Sequence, residues 1–263
     1  MKKFGAFIAT AMSMALLFTG CGSSSDSKEA ENSGGVPAKV VVGTNPEFPP
    51  FEFVGNDGKI DGYDVALMNE VGKRAGFEVE WKSMDFDALI MAMETGGIDV
   101  AISGMTATEE RKKQVDFSDT YFNASQVMIV KTDNDTIKTF QDLKGKNVGV
   151  QQGTTGDLMI SEGDSACIVE GVTVKRMNKG ADAVLDLING GVDAVVIDQN
   201  PAEEFVKANE GKIKVVTDEA ANEEYAIAIP KSKQELKEAI NGALKEMKED
   251  GTLDQFAEQY GAK

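Results

Sequence analysis

The residues best suited to chemistry in this chain follow runs that are typical of buried strands. Residues 103–106, Ser-Gly-Met-Thr, follow one such run, and Asp198 follows another. A third run ends at Val150 and leads into 151–156, Gln-Gln-Gly-Thr-Thr-Gly. Glycines and free backbone N–H groups at a helix start, joined by two hydroxyls, can bind an anion. The competing interpretation of this Gly-Thr turn is an ordinary helix cap.

A cationic side chain, Arg111, lies close to the first of these segments in sequence. It sits in the charged run 109–113, Glu-Glu-Arg-Lys-Lys, which follows Thr106 and Thr108. A charge run of this kind is also typical of a solvated helix face, and both interpretations stay open at this point.

The composition excludes several classes of enzyme and partner. The 263 residues include no histidine and two cysteines, so the usual zinc, copper and iron ligand sets and the imidazole-based catalytic triads are missing. Lys and Arg number 27 against 44 Asp and Glu, and the formal net charge of -17 repels nucleic acids. We expect no metal, no cofactor and no nucleic-acid partner.

Residues 1–20 have the layout of a signal peptide. Two lysines precede an uncharged, largely apolar run over residues 4–18, which ends in small residues before Cys21. Spanning a bilayer takes about 20 apolar residues, so a permanent transmembrane helix fits less well. The Thr-Gly-Cys sequence resembles a bacterial lipobox, with Phe18 where Leu is commonest, and this implies lipid modification of Cys21. A plain secreted protein is the alternative.

Residues 21–37 are predicted to be a lipid-anchored flexible tether, because small polar and acidic residues dominate and aromatic residues are missing. If Cys21 carries lipid, Cys167 has no intramolecular partner, so we expect no disulfide and a small buried apolar role for Cys167. The expected location is extracytoplasmic, anchored to the outer face of the cell membrane in a Gram-positive-like host, or periplasmic in a Gram-negative one.

Strand and helix patterns alternate beyond the tether, which predicts a parallel α/β architecture. The expected elements are strands at 39–43, 77–81 and 98–102 and helices at 64–75 and 86–95. Residues 183–197 repeat the pattern of residues 89–103 without a gap: a helix, Gly-Gly, a hydrophobic residue with Asp, and a buried strand. The repeat indicates two similar lobes with a cleft between them. Chance convergence of a common α/β pattern is the alternative explanation. Ligands bind beyond the carboxyl ends of such strands.

Short motifs occur in a fixed order along the chain. They are 43–53 (Gly-Thr-Asn-Pro-Glu-Phe-Pro-Pro-Phe-Glu-Phe), 62–64 (Gly-Tyr-Asp), 84–87 (Met-Asp-Phe-Asp), 103–111, 116–118 (Asp-Phe-Ser) with Tyr121, 142–145 (Asp-Leu-Lys-Gly) and 153–155 (Gly-Thr-Thr). In order and spacing they are similar to the polar amino-acid solute-binding proteins of ABC importers. The similarity covers about residues 39–260.

The resemblance implies a two-lobed type II periplasmic-binding-protein fold, the Venus flytrap. Each lobe would hold a mainly parallel sheet flanked by helices, with the second lobe inserted in the first. Lobe 1 would comprise 38–124 plus 223–263 and lobe 2 would comprise 125–222, with hinges near 121–126 and 221–225. The implied function is capture of a free L-amino acid by hinge closure. A monomer would then deliver it to an ABC permease and its ATPase.

The resemblance also implies which residues bind the ligand. A zwitterionic amino acid needs a cation with forked donors for its carboxylate and an anion for its ammonium group, and Arg111 and Asp198 supply that pair. Thr106 and the backbone of Thr155 would donate to the carboxylate, and the Gly104 carbonyl would accept from the ammonium. The implied ligand-binding residues are Asn45, Phe48, Phe86, Ser103, Gly104, Thr106, Arg111, Gln151, Thr154, Thr155 and Asp198.

The two aromatic residues in this set, Phe48 and Phe86, match family positions whose rings enclose the aliphatic stem of the ligand. Ordinary core packing is the alternative for both. Asn45 and Gln151 would meet the ligand side chain, and nearby candidates are Glu47, Asp85, Asp87 and Gln152. Amides suit a neutral polar side chain, so we expect glutamine, asparagine or cystine. If Asp87 turned inward, it would instead favour an amino acid with a cationic side chain.

Two other function classes stay open from the sequence. Some relatives on this fold resemble dehydratases, and a carboxylate such as Glu47 or Asp87 could serve an enzyme of that kind. An amino-acid sensor would need a fused membrane or kinase segment, which we do not expect in this chain. A binding protein without catalytic residues is the preferred interpretation.

Overall fold

The computed structural model describes residues 35–218 and 222–262. The signal peptide, Cys21, most of the tether and Ala221 of the second predicted hinge lie outside these residues. The strands are β1 Lys39–Thr44, β2 Glu47–Phe48, β3 Glu52–Val54, β4 Ile60–Asp61, β5 Glu78–Ser83, β6 Val100–Ala101, β7 Asp116–Phe117, β8 Phe122–Lys131, β9 Asn147–Gln151, β10 Thr173–Met177, β11 Ala194–Asp198, β12 Ile213–Val216, β13 Asn222–Tyr225 and β14 Ala228–Ile229. The α-helices are α1 Tyr63–Ala75, α2 Leu89–Glu94, α3 Glu109–Gln114, α4 Thr155–Ile160, α5 Gly180–Asn189, α6 Gln199–Ala208, α7 Gln234–Glu249 and α8 Thr252–Tyr260.

Two main sheets define two lobes. The sheet of the first lobe has the order β5-β1-β6-β14-β7, and that of the second lobe has the order β10-β9-β11-β8-β12 with β13 paired to β8. The second sheet is built between β7 and β14 in the sequence, so the second lobe is inserted in the first. Both sheets are mixed: the strands expected to be parallel are parallel, whereas β8 and β14 run antiparallel to their neighbours. These two strands are those that follow a crossing between the lobes.

The sequence repeat occupies equivalent positions in the two lobes. In the first copy, Asp99 Oδ2 accepts a hydrogen bond from the backbone N–H of Val41 in β1 at 2.7 Å. In the second copy, Asp193 Oδ2 accepts one from the backbone N–H of Asn147 in β9 at 2.8 Å. Each aspartate thus ties the start of its own strand to the neighbouring parallel strand. The shared Asp therefore has a structural role, and the repeat reflects similar lobes.

A two-stranded ribbon carries the chain between the lobes. The start of β8 pairs antiparallel with β13, with Phe122 opposite Tyr225 and Ser125 opposite Asn222. The rings of Phe122 and Tyr225 stack with centroids 5.7 Å apart, and both contact the ring of Phe51 from the first lobe. This aromatic cluster buries the base of the cleft, where apolar contact stabilises the crossing.

Several local predictions differ from the structure. The strand expected at 98–102 is confined to β6, and the helix expected at 86–95 begins with a 3₁₀ turn, Phe86–Ala88, before α2. Cys167, expected to be buried, is half-buried, with its Sγ 3.4 Å from the carbonyl oxygen of Val169. Within the described residues, the helices lack the length and apolar character that crossing a bilayer requires.

Candidate functional site

A cavity lies where the carboxyl ends of β1, β6, β9 and β11 face one another across the cleft. In this structure the space open within it is about 10 Å³, room for roughly one water molecule. The structure brings all eleven residues of the implied ligand-binding set to its wall, together with one residue that the sequence did not single out. The lining residues are Asn45, Phe48, Glu52, Phe86, Ser103, Gly104, Thr106, Arg111, Gln151, Thr154, Thr155 and Asp198.

The segment after β6 forms the wall of the first lobe. Gly104 has a backbone φ of 50°, and a side-chain carbon there would lie 2.9 Å from a ring carbon of Phe48. Both the left-handed conformation and the close ring require glycine at this position. The backbone N–H of Gly104 donates to Asp64 Oδ2 at 2.8 Å, which fixes the direction of the loop.

Arg111 is the cation of the site, and it is buried with 7% of its surface exposed. Its neighbours in the charged run are exposed, so the run supplies both a solvated helix face and one buried arginine. The guanidinium donates to the carbonyl oxygens of Thr106 at 2.8 Å and Gly153 at 3.0 Å, and lies 5.2 Å from the ring centroid of Phe86. Burial lowers the pKa of Arg111 to about 10, with Glu223 and Asp198 opposing the shift. Arg111 therefore stays protonated at neutral pH.

The Gly-Thr turn combines the two interpretations that the sequence left open. Thr154 is the N-cap of α4, and its Oγ1 accepts from the backbone N–H of Asp157 at 3.3 Å. Thr155 is the first residue of the helix, and both threonines line the cavity. The turn is thus a helix cap whose hydroxyl-bearing residues form the opposite wall of the cavity.

Asp198, at the end of β11, is the carboxylate that faces Arg111 from the second lobe. Its Oδ1 accepts from the hydroxyl of Tyr225 at 2.6 Å, and its Oδ2 accepts from Nε2 of Gln126 at 2.7 Å. Burial raises the pKa of Asp198 to about 7, and the charge of Glu223 adds to the shift. Near neutral pH, this carboxyl changes its charge readily in response to a neighbouring cation.

The predicted selectivity residues lie together at one end of the cavity. Nδ2 of Asn45 donates to the carbonyl oxygen of Met84 at 3.0 Å, which fixes the orientation of the amide. Its Oδ1 accepts from Nε2 of Gln151, which also donates to the carbonyl oxygen of Asn178 at 3.1 Å. Both amides are buried, so this end of the cavity is polar without a formal charge.

Glu52, which sequence reasoning missed as a site residue, forms a buried carboxyl pair with Asp64. Its Oε1 accepts from the hydroxyl of Ser103 at 2.8 Å. Burial raises the pKa of Glu52 well above its usual range, with the charge of Asp64 contributing, and burial raises the pKa of Asp64 to about 6. Among the described residues, Glu52 Oε2 and Asp64 Oδ1 have no donor, and a proton held on Glu52 satisfies both. Glu52 therefore retains a proton to higher pH than an exposed glutamate does.

The four nearby candidates lie at or near the mouth of the cavity. Asp85 and Asp87 are exposed, so Asp87 does not turn inward. Three polar contacts join the lobes there: Lys179 Nζ to Glu47 Oε1 at 2.5 Å, Gln152 Nε2 to Asp87 Oδ2 at 2.6 Å and Asn178 Nδ2 to Asp85 Oδ2 at 3.3 Å. In this structure the cleft is therefore closed. Among residues 35–218 and 222–262, acidic and thiol side chains form no cluster suited to a metal ion.

Comparisons with known proteins agree with this architecture. The arginine-binding extracellular protein ArtP of Bacillus subtilis (strain 168) is 36% identical over 261 residues, covering 99% of this chain and 98% of ArtP. A solved ancestral arginine-binding protein bound to arginine is 46% identical, with a TM-score of 0.80, and covers 85% of this chain and 98% of its own. The ancestral protein bound to glutamine has the same identity and TM-score, with 87% and 100% covered.

The family of bacterial extracellular solute-binding proteins, family 3, matches residues 40–263. This match spans both lobes and every residue that lines the cavity. The chain therefore belongs to the bacterial extracellular solute-binding proteins of family 3, which confirms the resemblance drawn from its motifs.

Proposed function

We propose that this protein is the extracytoplasmic amino-acid-binding subunit of an ABC import system. The observation that carries the proposal is the placement of Arg111 and Asp198, a buried cation and a buried carboxylate from opposite lobes, in one closed cavity. An L-α-amino acid presents the complementary pair of charges at a fixed separation. Its burial is favourable only if both charges are matched.

The proposed clamp uses donors that the structure brings together. Arg111 donates two of its five N–H groups to backbone carbonyls. The remaining N–H groups can donate to a carboxylate in a forked geometry. The backbone N–H groups of Thr106 and Thr155 would add donors, since the hydroxyl of Thr106 is engaged with Glu223. The ligand ammonium would meet Asp198 and the Gly104 carbonyl, and its charge would hold Asp198 ionised. Phe48 and Phe86 would enclose the aliphatic stem.

Binding is proposed to proceed by hinge closure. Residues 38–124 plus 223–263 would move against residues 125–222, with bending at 121–126 and 221–225, where the paired crossing strands lie. A ligand stabilises the closed form only by contacting both lobes, and Arg111 and Asp198 provide that differential contact.

The proposed ligand is an L-amino acid with a neutral polar side chain, with glutamine first. Asn45 and Gln151 present amides, and burial raises the pKa of Glu52, which disfavours its charged form. The carboxylates of Glu47 and Asp87 are engaged with the other lobe at the mouth. An amide side chain can donate and accept at this end of the cavity without burying an unpaired charge.

Arginine is a second candidate, favoured by ArtP and by the arginine-bound ancestral protein. An ancestral arginine-binding protein has also been solved bound to glutamine, so scaffolds similar to this one accommodate both side chains. The distinction therefore depends on the residues at the amide end of the cavity.

The proposed partners are a two-part ABC permease and ATPase, and the membrane through lipid on Cys21. The protein would act as a monomer, and its location outside the cytoplasm is supported by the description of its family as extracellular. We propose no catalytic role, since the relatives compared are binding proteins. Glu47 and Asp87, the carboxylates considered for catalysis, lie at the mouth of the cavity rather than inside it.

A thermal-shift screen tests the proposal directly. The protein is heated with each of the twenty L-amino acids, cystine and ornithine, and bound candidates are followed by titration calorimetry. A ligand at 100 times its dissociation constant adds about 2.7 kcal/mol to the free energy of unfolding. A shift from glutamine supports the neutral pocket, and a shift from arginine alone supports the second candidate. No shift across the panel, or turnover of a bound amino acid, would contradict the proposed function.

A further inference from the structure

One carboxylate oxygen connects the two lobes beside the cavity. Glu223 Oε2, on the crossing strand β13, accepts from the hydroxyl of Thr106 at 2.6 Å and from the hydroxyl of Thr155 at 2.8 Å. Thr106 follows β6 in the first lobe, and Thr155 begins α4 in the second. Glu223 lies outside the implied ligand-binding set, and sequence reasoning gave it no role.

The register of the ribbon explains why Glu223 points to this place. Thr106 forms an antiparallel bridge with Tyr225, whose hydroxyl reaches Asp198. Side chains two residues apart on a strand share a face, so Glu223 lies on the same face of the ribbon as Tyr225. Glu224 lies on the opposite face and is exposed.

Glu223 has further polar and charged neighbours beside the two threonines. Glu223 is half-buried, and its Oε2 is 3.5 Å from Nε2 of Gln126. The charge of Glu223 also acts on Arg111, where it opposes the effect of burial on the pKa. Hydrogen bonds to an ionised acceptor are about twice as strong as those between neutral groups. Both threonine hydroxyls are therefore held firmly.

We propose that Glu223 is a positioning residue that ties the two lobes together in the closed state and thereby raises ligand affinity. The proposal rests on the proposed function, because it assumes that a ligand is held by closure. Separation of the lobes would break at least one of the two threonine contacts, so the tie lowers the free energy of the closed form alone. Apparent affinity rises with the population of the binding-competent form.

A competing role for Glu223 would have the opposite effect on ligand affinity. If Glu223 occupied the hydroxyls in place of the ligand carboxylate, its removal would strengthen binding. Calorimetry with L-glutamine and L-arginine distinguishes the two. We expect Glu223→Ala to weaken binding about tenfold and Glu223→Gln, which retains an amide oxygen as acceptor, to restore part of that loss. Glu224→Ala removes the same charge from the exposed face and is the matched control, expected to bind like the wild type.

A double-mutant cycle separates a tie from a general structural effect. Thr155→Val removes the hydroxyl with little change in shape. The Glu223→Ala/Thr155→Val double variant should bind no more weakly than Glu223→Ala alone, because the contact of Thr155 with Glu223 is already lost there. Affinity in Glu223→Ala that equals or exceeds that of the wild type would overturn the proposal, as would full additivity in the cycle.

A ligand-free measurement keeps the tie testable if the wild type binds neither amino acid, a result that would contradict the two candidate ligands and not the tie. Hydrogen–deuterium exchange reports on the backbone amides of residues 105–107 and 222–226, two segments that surround Glu223 and hydrogen-bond to each other. Glu223→Ala should accelerate exchange there several-fold relative to Glu224→Ala. Equal exchange in the two variants would contradict the tie.

Discussion

Nε2 of Gln151 in the second lobe donates to Oδ1 of Asn45 in the first lobe at 2.9 Å. The two predicted selectivity residues are therefore hydrogen-bonded to each other across the closed cleft. Their contact buries both amides. A ligand side chain entering this end of the cavity must replace or extend that hydrogen bond. Side chains that can both donate and accept do so at the lowest cost, because no buried polar atom is left unpaired.

Asn45→Asp should shift ligand preference towards cationic amino acids. The substitution introduces a carboxylate at the amide end of the cavity and removes the donor to the Met84 carbonyl. We expect the preference for arginine over glutamine, measured by calorimetry, to rise at least tenfold. The ligand-free protein should also lose about 1–3 kcal/mol of stability, because the Met84 carbonyl loses its buried donor. An unchanged ratio of affinities would place the ligand side chain elsewhere.

Arg111→Lys should weaken amino-acid binding by about a hundredfold while retaining the positive charge. A lysine ammonium cannot donate in parallel to a carboxylate and to both backbone carbonyls that Arg111 contacts. Titration calorimetry measures the loss. The control is Lys112→Arg on the exposed face of α3, which should bind like the wild type. Equal affinity in Arg111→Lys would show that only charge, and not forked geometry, is required.

Asp198→Ala should abolish detectable closure and weaken binding by two or more orders of magnitude. Truncation leaves the ligand ammonium, the Tyr225 hydroxyl and the Gln126 amide without their buried acceptor. Small-angle scattering with and without ligand reports closure, and calorimetry reports affinity. Affinity unchanged from the wild type would remove Asp198 from the site.

The ligand-free protein should become less stable as pH rises from 5 to 7.5. Burial raises the pKa of Asp198 to about 7, that of Asp64 to about 6 and that of Glu52 well above its usual range. In this window the folded state binds protons that the unfolded state has released, so its stability falls as pH rises. Each full proton of difference contributes about 1.4 kcal/mol per pH unit.

Thermal denaturation at several pH values measures this slope. The Asp198→Asn variant should have a shallower slope, because it removes one of the three titrating groups. Asp57→Asn, which changes an exposed carboxylate, is the control and should retain the full slope. A midpoint temperature that stays level or rises between pH 5 and 7.5 would contradict the proton balance.

Much of the site could be predicted because its residues lie in short contiguous motifs. The segment from Ser103 to Arg111 and the turn at Thr154 and Thr155 each combine a strand end with a helix start, and local sequence determines both. The family resemblance then related segments that are distant in the chain. Arg111 shows what a sequence pattern cannot predict. Its charge run contains one buried and several exposed residues, and only the fold determines which residue is buried.

The missed residues depend on relationships that sequence patterns do not contain. Glu223 reaches Thr106, 117 positions away in sequence, only because β13 pairs with β8 in one particular register. A shift of that register by one residue would turn Glu224 inward instead. Glu52 lies within the motif at 43–53, yet its pairing with Asp64 depends on how the loop after β1 folds over α1. The length of β6 was also overestimated, since only Val100 and Ala101 of residues 98–102 belong to the strand.

The paired crossing strands restrict the kinds of motion open to the lobes. A two-stranded ribbon bends across its plane without breaking its interstrand hydrogen bonds, whereas sliding or twisting one lobe past the other would disrupt the pairing of Phe122 with Tyr225. In the proposed hinge closure, we expect the relative movement of the lobes to be mainly a rotation about one axis. Closing would then cost less orientational entropy than docking two separate bodies.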